Sequence, residues 1–348
     1  MGTSELRLSV IIPTHELSDS LFKCLASVTA TSPPPDEVIL VLDGITNDSN
    51  FLAGLGAIVP VVLDKRGGPA RARNFGVQRA TGHILGFLDS DVVVHPNTFQ
   101  MIRDIFTSKT DISAVFGSYD DAPTDAGVFS QYKNLLHHFI HQQSNEEAST
   151  FWAGCGAIRR DVFLRMGGFN EKYTKPSVED VELGLRMTEA GHRIVLHKTL
   201  IVTHLKRWTL FNVVKTDVIC RALPWTKLIA SKRKRLKNDL NMTWSSRSSF
   251  LILLATLMVW FLSSGPAVIL TFFLLGTLVL INRKLYHFFY SKRGFRFMIA
   301  SIFLHWLYYL YSGFTFLFGT LYFYSLGHIS RPRKLASRKD SFDKNFQT

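Results

Sequence analysis

Hydrophobic positions along the chain follow two periods in alternation. Leu6 to Ile12 is an apolar run closed by Pro13-Thr14-His15-Glu16, and Leu17 to Ala30 spaces Leu21, Cys24, Leu25 and Val28 as one helical face. This predicts a strand followed by a helix. Pro33-Pro34-Pro35 breaks the chain before Glu37 to Leu42, a second strand closed by Asp43-Gly44; Ile58 to Leu63 is a third. Gly67-Gly68 then runs into Pro69, which suits a first helical position because its missing N–H is unpaired there anyway. That helix extends to Ala80, with Ala72, Phe75, Val77 and Ala80 on or near one face and Arg71, Arg73 and Arg79 along it. After Thr81-Gly82, the run His83 to Leu88 reads as a buried parallel strand that delivers Asp89-Ser90-Asp91 at its carboxyl end. Strands alternating with helices predict a right-handed parallel sheet of Rossmann type, whose ligands sit beyond the carboxyl ends of the strands.

Further on, Phe129 to Gln143 has a helical cluster of Tyr132, Leu135, Leu136, Phe139 and Ile140. Trp152 to Ala157 is rich in small residues, a strand or a tight turn. Val181 to Ala190 is helical, with Leu183 and Met187 on one face and Gly191 as its C-cap. The last third differs in kind. Ser248 to Ile281 is 34 residues without a charge, and Phe297 to Leu326 is 30 residues whose ionisable groups are His305 and tyrosines. A membrane span needs about 20 residues, so each run is long for one crossing and short for two.

Charge decides how those runs are read. Met1 to Ala230 has 23 Lys/Arg against 24 Asp/Glu, whereas Ser231 to Thr348 has 17 against 3, so the net +13 resides wholly in the last third. Beside apolar runs, that excess points to anionic lipid and a cytoplasmic flank and not to nucleic acid. Basic clusters lie at Lys232 to Lys237, at Arg283-Lys284 with Lys292, Arg293 and Arg296, and at Arg331 to Lys334. Two shallow hairpins, turning at Gly265-Pro266 and Ser312-Gly313, keep all three clusters on the side of the N-terminal domain. The expected organisation is a domain over 1–230, a basic linker over 231–247, membrane helices over 248–329 and a basic tail over 330–348. Cys24, Cys155 and Cys220 are scattered and odd in number, which argues against zinc and against a disulfide framework.

Asp89 and Asp91 offer hard oxygen ligands of the kind that hold Mg²⁺ or Mn²⁺ with positions left open for a diphosphate. With arginines just upstream, the stretch describes a nucleotide-diphosphate site. The turn after the first strand lacks G-x-G-x-x-G, so the dinucleotide fingerprint is absent. His137 and His141 are four apart, at metal-pair spacing, but without a nearby carboxylate in phase they read more simply as an acceptor wall or interfacial helix.

Six ordered motifs, S-V-I-I-P-T-H at Ser9 to His15, V-L-D-G at Val41 to Gly44, G-G-P-A-R-A-R-N-F-G at Gly67 to Gly76, F-L-D-S-D at Phe87 to Asp91, G-G-F-N-E at Gly167 to Glu171 and Glu179-Asp180, resemble the family 2 glycosyltransferases. These are inverting enzymes of GT-A fold, an α/β Rossmann-like class using nucleotide-activated sugars. The resemblance implies that Pro13, Thr14 and Glu16 line the nucleotide pocket and that Asp43 takes the base edge. It also implies that Arg73 faces the base or phosphates, that Asp89 and Asp91 hold ribose and a divalent metal, and that Asp180 is the catalytic base. Spacing alone leaves Asp180 equally suited to capping its helix. His204-Leu-Lys-Arg-Trp208 resembles the Q-x-x-R-W motif of membrane-bound synthases in the same family, which implies Arg207 at the diphosphate and Trp208 as a stacking face. His in place of Gln opens a role for His204 as a third metal ligand. Acceptor contacts are expected at Trp152, Glu179 and Trp208. A juxtamembrane Lys-Arg-Trp that anchors in the lipid interface is the plainer alternative for the last motif.

The expected function is sugar transfer from a nucleotide diphosphate to a lipid or glycan acceptor by a membrane-anchored enzyme facing the cytoplasm. A polyprenyl-phosphate acceptor is the alternative. A transporter is disfavoured because the apolar runs lack paired charges. A silent nucleotide-sugar scaffold is disfavoured because every motif acid is present.

Overall fold

In this computed structural model, which describes residues 6–45, 49–232, 244–261 and 265–325, the first half of the sheet follows the expected pattern. Strands β1 (Leu8–Thr14), β2 (Glu37–Asp43), β3 (Val59–Leu63) and β4 (Ile84–Leu88) pair in parallel in the order β3-β2-β1-β4. Their side chains alternate between two apolar layers. Leu8, Val10 and Ile12 pack with helices α1 (Asp19–Thr29) and, later in the chain, α4 (Thr98–Ser108), whereas Ile11 and Phe87 pack beneath α3 (Pro69–Arg79). A short α2 (Ser49–Ala53) precedes β3. Gly76 sits where α3 crosses the sheet, and a Cβ there would stand 2.6 Å from Ile11 Cγ2. Only glycine permits that approach.

The sheet is not parallel throughout, which corrects the Rossmann expectation. After β5 (Val92–Val94), β6 (Ile112–Tyr119), α5 (Val128–Gln143) and β7 (Glu147–Ala148), strand β8 (Cys155–Arg159) enters antiparallel between β4 and β6. Helices α6 (Arg160–Arg165) and α7 (Glu179–Glu189) cover the α3 face, and β9 (Arg193–His204) pairs parallel with β6 and antiparallel with β5 and β7. The order β3-β2-β1-β4-β8-β6-β9-β5 thus joins a parallel half to a mixed half.

Helix α8 (Leu210–Lys215), a π-helical turn over Thr216–Ala222 and α9 (Leu223–Lys232) lead to three apolar helices, α10 (Trp244–Trp260), α11 (Gly265–Ile281) and α12 (Arg283–Ser325). Helix α10 ends at Trp260, and Gly265-Pro266, expected as the first turn, opens α11, with residues 262–264 outside the described residues. The second expected turn is absent: α12 runs through Ser312 and Gly313, and its one non-helical residue is Gly294, at φ 78°. Gly313 is a packing site instead, because Phe250 of α10 lies directly against its Cα. Within the described residues, α12 is the one helix long and apolar enough to cross a membrane; Pro266–Ile281 is apolar but shorter. Ser263-Ser264, the stretch 233–237, most of the linker, and the tail with Arg331 to Lys334 lie outside the described residues.

The apolar helices are not detached from the sheet domain. Tyr132, Leu135 and Leu136 of α5 share one cluster with Leu285, Tyr286, Phe289 and Ile302 of α12. Lys292 Nζ reaches Asp121 at 2.5 Å, and Arg293 donates to Gln131 at 2.7 Å and to the Asp121 carbonyl at 2.9 Å. The middle basic cluster is therefore docked on the sheet domain. On the outer side, Trp260, Phe261, Ile269, Phe272, Phe273 and Phe303 are exposed.

Candidate active site

Strand β4 ends at Leu88, and the next three residues turn at the sheet's carboxyl edge. Asp89 N–H donates to the Gly154 carbonyl, and its Oδ1 receives Arg73 Nη2 at 2.7 Å. The other guanidinium nitrogen, Nη1, reaches Glu179 Oε1 at 3.0 Å. Arg73 is thus a buried clamp joining the Asp-x-Asp and Glu-Asp motifs. The expectation that it faces base or phosphates is corrected, since two carboxylates occupy both of its terminal nitrogens and the Phe169 ring lies 5.5 Å below. Glu179 is likewise no acceptor contact: it is buried, with Oε2 taking the Ser177 N–H at 2.9 Å.

Asp180 lies on the open side of this clamp. The helix α7 begins at Glu179 with Val178 as an N-cap that offers no side-chain bond, so Asp180 is not the cap. From the first turn its Oδ1 accepts the free Val181 N–H at 2.7 Å, and its Oδ2 accepts Ala153 N–H at 3.1 Å. Burial and the neighbouring Glu179 charge push its carboxyl up to about 7, against the opposing pull of those amides and of Arg73. A carboxyl poised near neutrality, partly open to the cleft, suits a general base. The turn at Ala153-Gly154 holds both acid motifs, one through an N–H and the other through a C=O. Sequence reading had this stretch as strand or turn; it is a turn that opens β8.

Asp91 meets His204 because β5 and β9 pair antiparallel with Val92 opposite His204, a register continued by Leu205 N–H to the Asp91 carbonyl at 2.8 Å. His204 Nε2 stands 3.5 Å from Asp91 Oδ2. Its Nδ1 lies 2.6 Å from Asn134 Oδ1, and Asn134 Nδ2 donates to the Ser130 carbonyl, which fixes the amide orientation. Nδ1 therefore donates to Asn134, and Nε2 is the nitrogen that faces Asp91. Tyr119 stacks on the imidazole, with centroids 4.1 Å apart and planes 8° from parallel. One carboxylate oxygen and one imidazole lone pair suit a divalent cation that takes its other ligands from water or a diphosphate. No group of three or more His, Cys, Asp or Glu able to hold a metal exists among the described residues. Asn134, Ser130 and Tyr119 went unrecognised in the sequence because none belongs to a motif. Their roles come from α5 and β6 packing against β9.

The remaining expected residues divide. Thr14 is buried, and its Oγ1 donates to the Glu16 carbonyl at 2.7 Å, shaping the Pro13 to Glu16 turn that leaves Pro13 half-buried and Glu16 exposed. Asp43 is buried and takes the Gly67 and Gly68 N–H groups at 2.7 and 2.8 Å. It orders the glycine turn with both oxygens, and base contact would share them. Gly68, at φ 85°, packs its Cα against the Thr174 carbonyl, so the segment before α7 roofs this turn. Asn74 fastens the Gly167 to Glu171 motif: Oδ1 accepts Phe169 N–H, and Nδ2 donates to the Phe169 carbonyl and to Glu171. Trp152 is half-buried among Tyr119, His137 and His141. Those two histidines are buried, and burial holds both well below the ordinary imidazole range. His141 Nδ1 is taken by the Gly117 carbonyl, and the pair packs as neutral wall. Trp208 is no exposed platform: it is 4% exposed, its backbone N–H donates to Ser130 Oγ, and Lys206 Nζ covers its ring at 4.5 Å. Arg207 points outward, with its side chain 83% exposed and Asp125 3.7 Å away.

Comparison with known proteins agrees with this geometry. Residues 9–167 match the family model described as glycosyl transferase family 2, and residues 134–208 match one described as the N-terminal domain of galactosyltransferase. A mannosyltransferase from Pyrobaculum calidifontis, solved with GDP-Man and Mn²⁺, superposes with a TM-score of 0.56 at 16% identity, over 90% of this chain and 88% of that one. The fold is that of the GT-A glycosyltransferases. Over residues 9–167 the chain is similar to glycosyl transferase family 2. Glycosyltransferase AglE of Haloferax volcanii is 26% identical over 58% of this chain and 67% of its own length. Glycosyltransferase GlyG of Streptococcus pneumoniae is 28% identical over 46% of this chain and 54% of its own length. The Escherichia coli UDP-Gal:alpha-D-GlcNAc-diphosphoundecaprenol beta-1,3-galactosyltransferase is 26% identical over 55% of this chain and 71% of its own length.

Proposed function

We propose that this enzyme, associated with the cytoplasmic face of the inner or plasma membrane, transfers a sugar with inversion from a nucleotide diphosphate to a hydroxyl of a lipid-borne acceptor. The observation that carries this reading is the bridge from Asp89 through Arg73 to Glu179, which ties the motif of the Asp91–His204 pair to the motif of Asp180, itself held by the Ala153 N–H. Asp180 Oδ accepts the proton from the acceptor hydroxyl as its oxygen attacks the anomeric carbon; the bond to the leaving diphosphate breaks on the opposite face. Asp91 Oδ2 and His204 Nε2 would hold a Mn²⁺ or Mg²⁺, which when bound would supply Lewis-acid stabilisation of charge on the departing diphosphate. Burial pushes the Asp89 carboxyl up while Arg73 opposes that rise, and the same guanidinium ties Asp89 to Glu179. Asp43 and the Pro13 to Glu16 turn form the nucleotide wall.

A near-neutral base favours a hydroxyl over an acceptor phosphate, whose oxygen is already anionic, and the similar Escherichia coli enzyme is named for a sugar acceptor on a diphosphate lipid. Membrane association is supported by the exposed aromatic and aliphatic side chains of α10 to α12 and by the basic excess around them. Purified enzyme in lipid, given a panel of UDP- and GDP-sugars with Mn²⁺ and native lipid extract, should release nucleoside diphosphate and yield a glycosylated lipid detectable by mass spectrometry. Absence of transfer from every donor, or full activity in EDTA, would remove the proposal.

A further inference from the structure

The most heavily charged buried cluster outside the active site lies where the π-helical turn meets α5 and α12. Asp217 is 3% exposed, and both of its oxygens take Lys133 Nζ at 2.6 Å. Tyr311 Oη of α12 donates to Oδ2 at 2.7 Å, and Arg221 Nη1 stands 3.2 Å from Oδ1. Two cations share one carboxylate, so the group retains a net positive charge in surroundings where unpaired charge is costly. The two cations differ in access. Lys133 is buried, whereas the Arg221 side chain is 50% exposed and, among the described residues, binds through Nη1 alone. Its remaining donors form an open fork, the geometry that suits a phosphate.

The position of this fork connects the lipid-facing surface to the site. Lys133, the partner of Asp217, is the chain neighbour on α5 of Asn134, which holds His204, so the cluster and the cation site share one helix. Around Arg221 on the same stretch of chain, Leu210, Phe211, Ile219 and Leu223 are all exposed, Phe211 at 71%. Exposed apolar side chains close in sequence to an anchored guanidinium complement a molecule with an apolar tail and an anionic head. The π-helical winding, common where a side chain is placed for function, sets Asp217 and Arg221 together.

We infer that Arg221, held in place by Asp217, binds the phosphate or diphosphate of a lipid-linked acceptor, with Phe211, Ile219 and Leu223 receiving the first part of its chain. This deepens the proposed function, resting on it for the reaction but not for the binding. Asp217 is a positioning residue and Arg221 the ligand. The phosphate is a handle and is not consumed, while Asp180 handles the sugar hydroxyl at the other end.

The test uses full-length enzyme and phosphatidylcholine nanodiscs containing polyprenyl phosphate, the matching uncharged prenol, or phosphatidylglycerol. Wild type should bind the polyprenyl-phosphate discs about tenfold more tightly than the prenol discs, the worth of one charge-assisted contact. Arg221→Gln should lose that preference, Arg221→Lys should retain part of it, and Lys215→Gln, an exposed cation on the neighbouring helix, should leave it unchanged. Release of nucleoside diphosphate from nucleotide sugar by wild type, assayed without acceptor, reports separately on the proposed reaction. Equal binding by wild type and Arg221→Gln, equal preference for phosphatidylglycerol, or displacement by inorganic phosphate at comparable concentration would overturn the inference.

Discussion

Asp180 carries the sharpest pH signature in the molecule. Its carboxyl is pushed up to about 7 by burial and by Glu179, above the ordinary value of 3.8. Because catalysis needs the ionised form, kcat/KM should rise with pH through about 7 and level off above it, measured with saturating metal. Stability runs the other way. A carboxyl whose folded value is raised contributes stability fully below 3.8 and loses it as pH rises through about 7. Asp180→Asn mimics the protonated state, so its thermal stability should exceed that of wild type by more at pH 8 than at pH 5. Its transfer rate should fall by roughly 10²–10⁴-fold at pH 8 and by less at pH 5, where the wild-type base is itself mostly protonated, with nucleotide-sugar affinity near wild type. Wild-type rates in this variant would exclude Asp180 as the base. At the cation site, His204→Ala and Asp91→Ala should each abolish the Mn²⁺-dependent gain in nucleoside-diphosphate affinity, read by calorimetry with and without EDTA, while metal-independent binding through the Asp43 wall persists. Metal dependence surviving in the His204 variant would leave Asp91 to act without it.

At the level of elements, the site depends on contacts between segments far apart in sequence. Asn74 on α3 makes three hydrogen bonds to the segment after α6, all of them buried or part-buried. Asn74→Ala should cost about 1–3 kcal/mol in urea unfolding and weaken nucleotide-sugar binding, since that segment leads into the roof over Gly68. An unchanged midpoint would show that the segment is held elsewhere. Gly313→Leu should separate α10 from α12, because Phe250 occupies the space, and pairing it with Phe250→Ala should restore part of the loss in detergent melting. These contacts explain what the sequence does and does not disclose. The strands β1 to β4 and helix α3 are local: each has its own period and punctuation, and Asp89, Asp91 and Asp180 sit at recognisable ends. Ser130, Asn134 and Tyr119 carry no such mark, because their part depends on β6 and β9 pairing across some eighty residues, as Ile112↔Arg193 shows. Arg73 was recognisable as important but misassigned: an arginine near a phosphate site and one between two carboxylates look alike until Glu179 is brought beside it. Ser312-Gly313 has turn composition, and tertiary packing overrides it.

For the whole molecule, the docking of Lys292 and Arg293 on the sheet domain fixes a sidedness. A cysteine at Ser291, exposed beside that contact, should react with an impermeant maleimide from the same membrane face as one at Lys65 in the sheet domain. Opposite labelling would mean that this contact is absent in the bilayer. The Arg73 clamp has a separate consequence for how the enzyme can be divided. The family 2 match ends at residue 167, yet the clamp's second carboxylate is at 179 and the acceptor for Ala153 N–H is at 180. A fragment stopped at residue 167 would retain Arg73 in the core with half of its counter-charge removed, a loss of roughly 3–5 kcal/mol by analogy with broken buried pairs. The smallest autonomous unit is therefore larger than the donor half: donor and acceptor halves cannot be exchanged between relatives as separate cassettes unless residues 73, 89 and 179 travel together.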